Sequence, residues 1–241
     1  LWYAGGVPAV MLEVKEFLHL DCLTVTGKTL GENLDEIDAG SFFIQNAGYL
    51  ANVKVDRNEV IRPRRDPFGP EGGIAVLRGN LAPGGAVIKH FSVPKEMHVH
   101  VGPARVFDTE DLAVEALLSR EVKPGDVVII RYEGPKANGM PEMYYATAII
   151  AASKELSATC AVITDGRYSG AAKGDLIEIN VPERRLAVVG TADGPMAPSA
   201  IDAILALRRA EWVRPKARHT KGILSLYGRV GAGANDGGYL A

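Results

Sequence analysis

After Pro8 the apolar residues Val10, Met11, Val14, Phe17 and Leu18 recur at helical spacing, with Glu13, Lys15 and Glu16 between them. Pro8 suits the first turn of such a helix, where its missing N–H would have no intrahelical partner. The stretch from Leu20 through Asn33 repeats Thr and Gly around short apolar pieces and reads as a loop leading to another short helix. From Asp35 to Gly73 the pattern is irregular, and Arg62-Pro63-Arg64-Arg65-Asp66-Pro67 reads as an extended, solvated connector.

At Gly73 the texture changes to short segments rich in Val and Ile that alternate with Gly and Pro turns. Candidate strands are Ile74–Arg78, Ala86–Lys89, Val127–Tyr132, Ala158–Ile163, Leu176–Asn180 and Leu186–Val189. Two helices interrupt them. Asp108 or Thr109 can cap the first, with Glu110 and Asp111 near its positive end and an apolar stripe of Leu112, Ala113, Ala116 and Leu117. The second runs from about Ser199 to Arg209, with Ile201, Ile204, Leu205 and Arg208 at comparable spacing. A barrel-like sheet with helices on its outside would bury both patterns. Beyond Trp212 a basic linker leads to Gly222-Ile223-Leu224-Ser225-Leu226-Tyr227, where Leu224 and Tyr227 can anchor the tail.

Composition narrows the function classes. With 241 residues, 47% of them apolar and 23% charged, the chain can bury a sizeable core in one or two domains. The 27 basic and 29 acidic side chains give a net charge of −2, which steers the protein toward neither nucleic acid nor an anionic membrane. Only two cysteines occur, Cys22 and Cys160, at a spacing that fits neither a zinc knuckle nor a disulfide scaffold, so a reducing, cytoplasmic setting is expected. The opening Leu1-Trp2-Tyr3-Ala4-Gly5-Gly6 does not read as a natural amino terminus, and no signal peptide or membrane span is visible.

Several short constellations bear on chemistry. Thr164-Asp165-Gly166-Arg167-Tyr168-Ser169-Gly170 follows an apolar strand, a position that can fix a polar loop on a rigid sheet edge; a plain turn is the alternative. A serine hydroxyl is a poor base at its ordinary pKa, so catalysis by Ser169 needs a positive field, a metal or a proton acceptor nearby. The Gly-x-Ser-x-Gly elbow is absent, which argues against a hydrolase. In Tyr132 to Met143, after another apolar strand, Glu142 could ligate a hard cation or be an exposed loop acid, while Met140 and Met143 read as packing residues. His98 and His100 would share one face of a strand, yet no third ligand has diagnostic spacing, and structural roles are favoured. Cys160, among Ala, Val and Ile, reads as a buried thiol. Gly27-Lys28-Thr29 lacks the rest of a phosphate-binding loop, since Cys22 stands where its first glycine should be.

Taken together, the phrases Gly5-Gly6-Val7-Pro8-Ala9-Val10, Thr24-Val25-Thr26-Gly27-Lys28-Thr29-Leu30, Gly79-Asn80-Leu81-Ala82-Pro83, Gly102-Pro103-Ala104-Arg105-Val106-Phe107, Arg131-Tyr132-Glu133-Gly134-Pro135 and Thr164–Gly170 closely resemble the dihydroxy-acid and sugar-acid dehydratase family. They occur in order over nearly the whole chain. The resemblance implies an α/β fold: a swivelling beta/beta/alpha, barrel-like carboxyl-terminal domain over 61–241, preceded in 1–60 by the end of a cluster-binding domain and a connector. It also implies a missing amino-terminal half, a homo-oligomer, and Mg²⁺ with a [2Fe-2S] cluster in the full-length enzyme. Neither Cys22 nor Cys160 falls in a cluster-ligand motif of the family, so this half alone is expected to be inactive.

Within that resemblance Glu142 looks like the magnesium-ligating glutamate of this half and Ser169 like the catalytic base, while Asn80 and Gly102–Arg105 would help to shape the cleft. The implied reaction converts a 2,3-dihydroxy acid to a 2-keto acid. The phrases Pro70–Asn80 and Leu205–Trp212 look closer to the sugar-acid branch than to the branched-chain amino-acid branch. The competing class is a noncatalytic structural or interaction fragment. One departure stands out: Lys173-Gly174 runs almost directly into Asp175, where family members carry a Gly-His-containing loop and a segment rich in Pro, Glu and Gly.

Overall fold

A computed structural model describes residues 1–166 and 176–233. The chain divides into two compact units, Leu1–Gly72 and Gly73–Ala241. In the first, α1 (Gly6–Glu13) begins ahead of Pro8, as proline's tolerance of the first turn allows, and α2 (Leu30–Ala39) and α3 (Phe42–Asn52) follow. Thr29 caps α2 in a capping box with Glu32, and Lys28 pairs with Glu36, so Gly27-Lys28-Thr29 is a helix entry. The small core of this unit gathers Ala4, Ala9, Leu50 and Ile61, with Phe43, Val55 and Val60 packed on it. Ile61 therefore packs with the first unit, and the change of sequence texture at Gly73 coincides with the start of the second.

The second unit opens with the antiparallel hairpin β1 (Ala75–Leu77) and β2 (Ala86–Ile88). It continues through β3 (Val99–Phe107), α4 (Glu110–Leu118), β4 (Val127–Ile130), α5 (Pro135–Asn138), α6 (Tyr144–Ala152), α7 (Lys154–Thr159) and β5 (Ala161–Thr164). After residue 175 come β6 (Leu176–Asn180), β7 (Arg185–Thr191), β8 (Gly194–Pro195), α8 (Pro198–Glu211) and α9 (Gly222–Val230). Six strands form one mixed sheet in the order β5-β4-β3-β6-β7-β8.

The strand that joins its two halves, β3, is absent from the strands the sequence pattern predicts, as is the two-residue β8. Its Val99–Pro103 segment pairs antiparallel with β6, and its Ala104–Phe107 segment pairs parallel with β4. Gly102 and Pro103 sit at the changeover, where a residue without an N–H costs least; in a sequence, the same pair reads as a break. The barrel-like expectation is corrected: the sheet ends at β5 and β8, and among the described residues no pairing closes one onto the other.

The core follows from β4. Val127, Val128, Ile129 and Ile130 are all fully buried, as expected of a parallel strand covered on both faces. Because side chains alternate along a strand, Val127 and Ile129 enter one cluster with Ile163, Ile177, Leu186 and Ile201. Val128 and Ile130 enter the other, with Ala113, Ala116, Leu117, Ala146 and Ile150 from α4 and α6. The α4 stripe is narrower than expected, since Leu112 is 48% exposed. Among the described residues no helix is long and apolar enough to cross a membrane.

Candidate functional site

In a sheet with parallel strands, the loops that leave their carboxyl ends gather at one edge. Here β3, β4 and β5 run parallel, so the segments starting at Asp108, Arg131 and Asp165 emerge together. Asp165 binds two of them to each other. Its carboxylate accepts the backbone N–H of Tyr132 at 3.0 Å and of Glu133 at 2.8 Å. Burial, with the nearby Glu133 charge adding to it, pushes the Asp165 carboxyl above its ordinary value, against the pull of those N–H donors.

Glu133 is the buried hub of this edge, 2% exposed. Its carboxylate accepts from the Glu110 N–H at 3.2 Å, from Asn138 Nδ2 at 2.5 Å and from Arg218 Nη1 at 2.9 Å. A buried carboxylate needs this kind of charge-assisted satisfaction. Arg131 in turn pairs with Asp108, 2.5 Å away, and its guanidinium lies over the Tyr132 ring.

Glu142 sits between two fixed points of the same loop. Met143 beside it is buried in the α4–α6 cluster, and the preceding Pro141 carbonyl abuts Gly166 so closely that a Cβ there would lie 3.1 Å from it. A side chain at 166 would therefore push apart the loops that carry Glu142 and Ser169. The Glu142 side chain is exposed and has no hydrogen-bond partner among the described residues. A free carboxylate oxygen on an anchored loop fits one ligand position for a hard cation such as Mg²⁺. Ser169, with Arg167, Tyr168 and Gly170, lies outside the described residues, as does the departure at Lys173-Gly174; the loop leading to Ser169 leaves the described structure at Gly166.

The other candidates resolve into structural roles. His100 Nε2 lies 3.1 Å from the Gly125 carbonyl, and His98 Nε2 is 3.2 Å from His90 O and 3.1 Å from Val93 O, so both rings tie loops to β3. Among the described residues no group of three or more His, Cys, Asp or Glu is placed to hold a metal. Cys160 is buried, donates to Lys123 O at 3.2 Å, and has its thiol pushed up by burial; Cys22 is exposed in the first unit. A cluster needs several converging thiolates, and these two cysteines do not fit that requirement. Asn80 is held by its side-chain amide, which pairs with Val188, accepting at 2.8 Å and donating at 3.1 Å, and so continues the ladder onto β7.

The chain beyond α8 crosses this edge as a strap. Trp212 Nε1 donates to the Tyr132 hydroxyl at 3.3 Å, Arg218 donates to the Asp108 carbonyl as well as to Glu133, and His219 Nε2 lies 2.6 Å from Asn138 Oδ1. Beneath the strap is a cavity of about 580 Å³ lined by Thr109, Tyr132, Lys136, Trp212 and Lys216; Glu142 lies outside it. The roles of Glu133 and Arg218 escaped the sequence reading. The only local signal was an acid set directly between an apolar strand and Gly134-Pro135.

Residues 59–238 match the family Dihydroxy-acid/6-phosphogluconate dehydratase C-terminal, and the chain belongs to it. It is 45% identical over 255 residues to the dihydroxy-acid dehydratase of Acetivibrio thermocellus, covering 100% of this chain and 43% of the relative. Dihydroxy-acid dehydratase 1 of Methanosarcina acetivorans is 43% identical over 98% of this chain and 43% of its own length. The dihydroxy-acid dehydratase of Clostridium botulinum strain Eklund 17B is 50% identical over 76% of this chain and 31% of its own length. The chain thus spans less than half the length of these relatives.

Proposed function

We propose that this chain is the carboxyl-terminal half of a hydro-lyase that dehydrates a 2,3-dihydroxy acid to a 2-keto acid. The observation that carries the reading is the contact between Pro141 and Gly166, at the carboxyl ends of β4 and β5, in a chain of the dehydratase family. That contact brings the loop of Glu142 against the start of the loop of Ser169. Ser169, deprotonated, takes the proton from C2; the C–H electron pair becomes the C2–C3 double bond as the C3–O bond breaks, the departing hydroxide takes up one proton, equal to the one Ser169 removed, to leave as water, and the enol tautomerises to the ketone. Placing a base against one carbon while the neighbouring carbon loses its oxygen is a task of positioning.

Glu142 would hold Mg²⁺ through its free carboxylate. When bound, the ion would supply positive charge for the substrate carboxylate and for a deprotonated serine. The two cysteines assign no [2Fe-2S] site to this chain, so cluster ligation falls to the absent half. On this reading Leu1–Gly72 ends the cluster-binding domain, and the second unit is the swivelling domain of a homo-oligomeric, cytoplasmic enzyme.

A sugar acid is the substrate favoured by the phrases Pro70–Asn80 and Leu205–Trp212. A second reading is the dihydroxy acid of branched-chain amino-acid synthesis; the relatives' name, dihydroxy-acid dehydratase, is compatible with either substrate. Sites that hydrogen-bond a substrate hydroxyl reject analogues lacking it strongly, so the two are separable. The test is to recover the upstream coding sequence, produce the complete enzyme anaerobically, and compare 2-keto acid formation from gluconate-type acids and from 2,3-dihydroxy-3-methylbutanoate. Turnover of the sugar acids supports the first reading, turnover of the branched acid alone supports the second, and turnover of neither removes the hydro-lyase assignment.

A further inference from the structure

The loop that carries Glu142 is held from both sides. On one side Asp165 accepts the N–H groups of Tyr132 and Glu133. On the other side, beside the Glu110 N–H that Glu133 accepts, stand residues of the strap and α9. Arg218 reaches Glu133 at 2.9 Å across 85 positions of sequence and spends its second terminal nitrogen on the Asp108 carbonyl. His219 meets Asn138, which itself donates to Glu133, so one chain of hydrogen bonds runs from the strap through α5 to the buried carboxylate. Leu224 of α9 packs against Gly139, where the backbone turns through a left-handed φ of +73° toward Pro141 and Glu142.

From this geometry we infer that Arg218 is a positioning residue for Glu142, and that the strap from Trp212 to Lys221 is part of the working site rather than a trailing end. The inference rests on the reading of Glu142 as a metal ligand. A planar guanidinium is suited to the task, because its fork can satisfy a buried carboxylate and a carbonyl on different elements at once. The elements it joins are the end of β3, the loop after β4 and the strap. In the loop from Tyr132 to Glu142 only Glu133, Gly134 and Pro135 are buried, and its apolar anchors are Pro135 and, just beyond its end, Met143. Without the strap the loop would keep Met143, the approach of Pro141 to Gly166, Asp165 and the Glu110 N–H, and would lose its ties to Arg218, His219 and Leu224.

Removing Arg218 alone would leave a buried charge unpaired and could unfold the domain. The informative variant is therefore Arg218→Ala combined with Glu133→Gln, which removes both charges and keeps one acceptor oxygen, for the Glu110 N–H; the new N–H₂ faces Asn138, so Glu133→Gln alone is the reference for that loss. In the complete enzyme, Mn²⁺ as a paramagnetic stand-in for Mg²⁺ gives the dissociation constant, and amide exchange followed by mass spectrometry gives the opening of residues 132–143. The double variant, at a thermal midpoint close to the parent, is expected to weaken Mn²⁺ binding by about tenfold, the lower end for supporting partners of a ligand. It is also expected to speed exchange in 132–143 without changing exchange in β6 and β7. Unchanged exchange and unchanged Mn²⁺ binding overturn the positioning role. Glu142→Gln run in parallel separates the two ideas. If that variant leaves Mn²⁺ binding intact, the ligand reading fails, and with it the metal part of the inference, while the exchange result still decides whether Arg218 holds the loop.

Discussion

The Asp165 carboxylate takes the backbone N–H groups of Tyr132 and Glu133 on its two oxygens, at 3.0 and 2.8 Å, and so fastens the loop after β5 to the loop after β4. Each oxygen has its own donor. The side chain is therefore a clasp between segments 33 and 32 positions apart rather than a surface charge.

Asp165→Asn should accordingly destabilise the second unit by roughly 1–3 kcal/mol, since an amide offers one acceptor oxygen and turns an N–H₂ toward a backbone donor. The pH dependence has a definite sign. The folded-state carboxyl titrates above its ordinary value of 3.8, so its contribution to stability is fully present below that value and is lost as pH rises through the raised one. The advantage of the parent over Asp165→Asn should thus be largest near pH 4 and shrink toward neutrality. Urea unfolding of both proteins across that range checks it; an advantage that grows with pH would contradict the assignment.

Gly139 closes α5 with a φ of +73°, and a Cβ there would lie 2.6 Å from Leu224 Cδ2. The leucine tip can move, so the backbone conformation sets the cost: Gly139→Ala should lose about 1–2 kcal/mol. Chemical denaturation measures the loss. A companion Leu224→Ala in the same background should relieve the contact without recovering the backbone cost.

How much of this was legible in the sequence depended on the range of the interaction. The fully buried run Val127–Ile130 and the Thr109 cap of α4 are local signals, and both lie where the pattern put them. The helix α6 hid in Tyr144–Ala152 because it is apolar nearly all round and shows no stripe. The strand β3 hid behind Gly102-Pro103, a break by local rules that the fold uses as a change of partner. Glu133 and Arg218 meet only because the strap returns across the sheet edge, which no spacing announces. Glu142 and Ser169 stood out through family resemblance, since an exposed acid and a loop serine carry little signal of their own.

Replacing Glu142 with Gln preserves volume and removes the anionic oxygen that a hard cation prefers. In the complete enzyme this change should weaken Mg²⁺ binding by at least about tenfold, no less than the loss of a supporting partner costs. Because the Glu142 side chain is exposed and makes no hydrogen bond among the described residues, the thermal midpoint should barely move. Titration calorimetry beside thermal unfolding separates the two effects, and unchanged affinity on well-folded protein would remove Glu142 from the metal site.

The central claim is that Ser169 is the base of a dehydratase whose other half lies outside this chain. It is tested most directly by steady-state turnover of Ser169→Ala in the complete, cofactor-matched enzyme, with substrate deuterated at C2 as a companion probe of the parent. Loss of a general base costs on the order of 10²–10⁴ in rate, and removal of one hydroxyl adds neither bulk nor charge. The account predicts a loss of that size at an unchanged thermal midpoint and metal content, with a C2 deuterium effect in the parent. A folded Ser169→Ala enzyme, matched in its metals and turning over at essentially the parent rate, would contradict it.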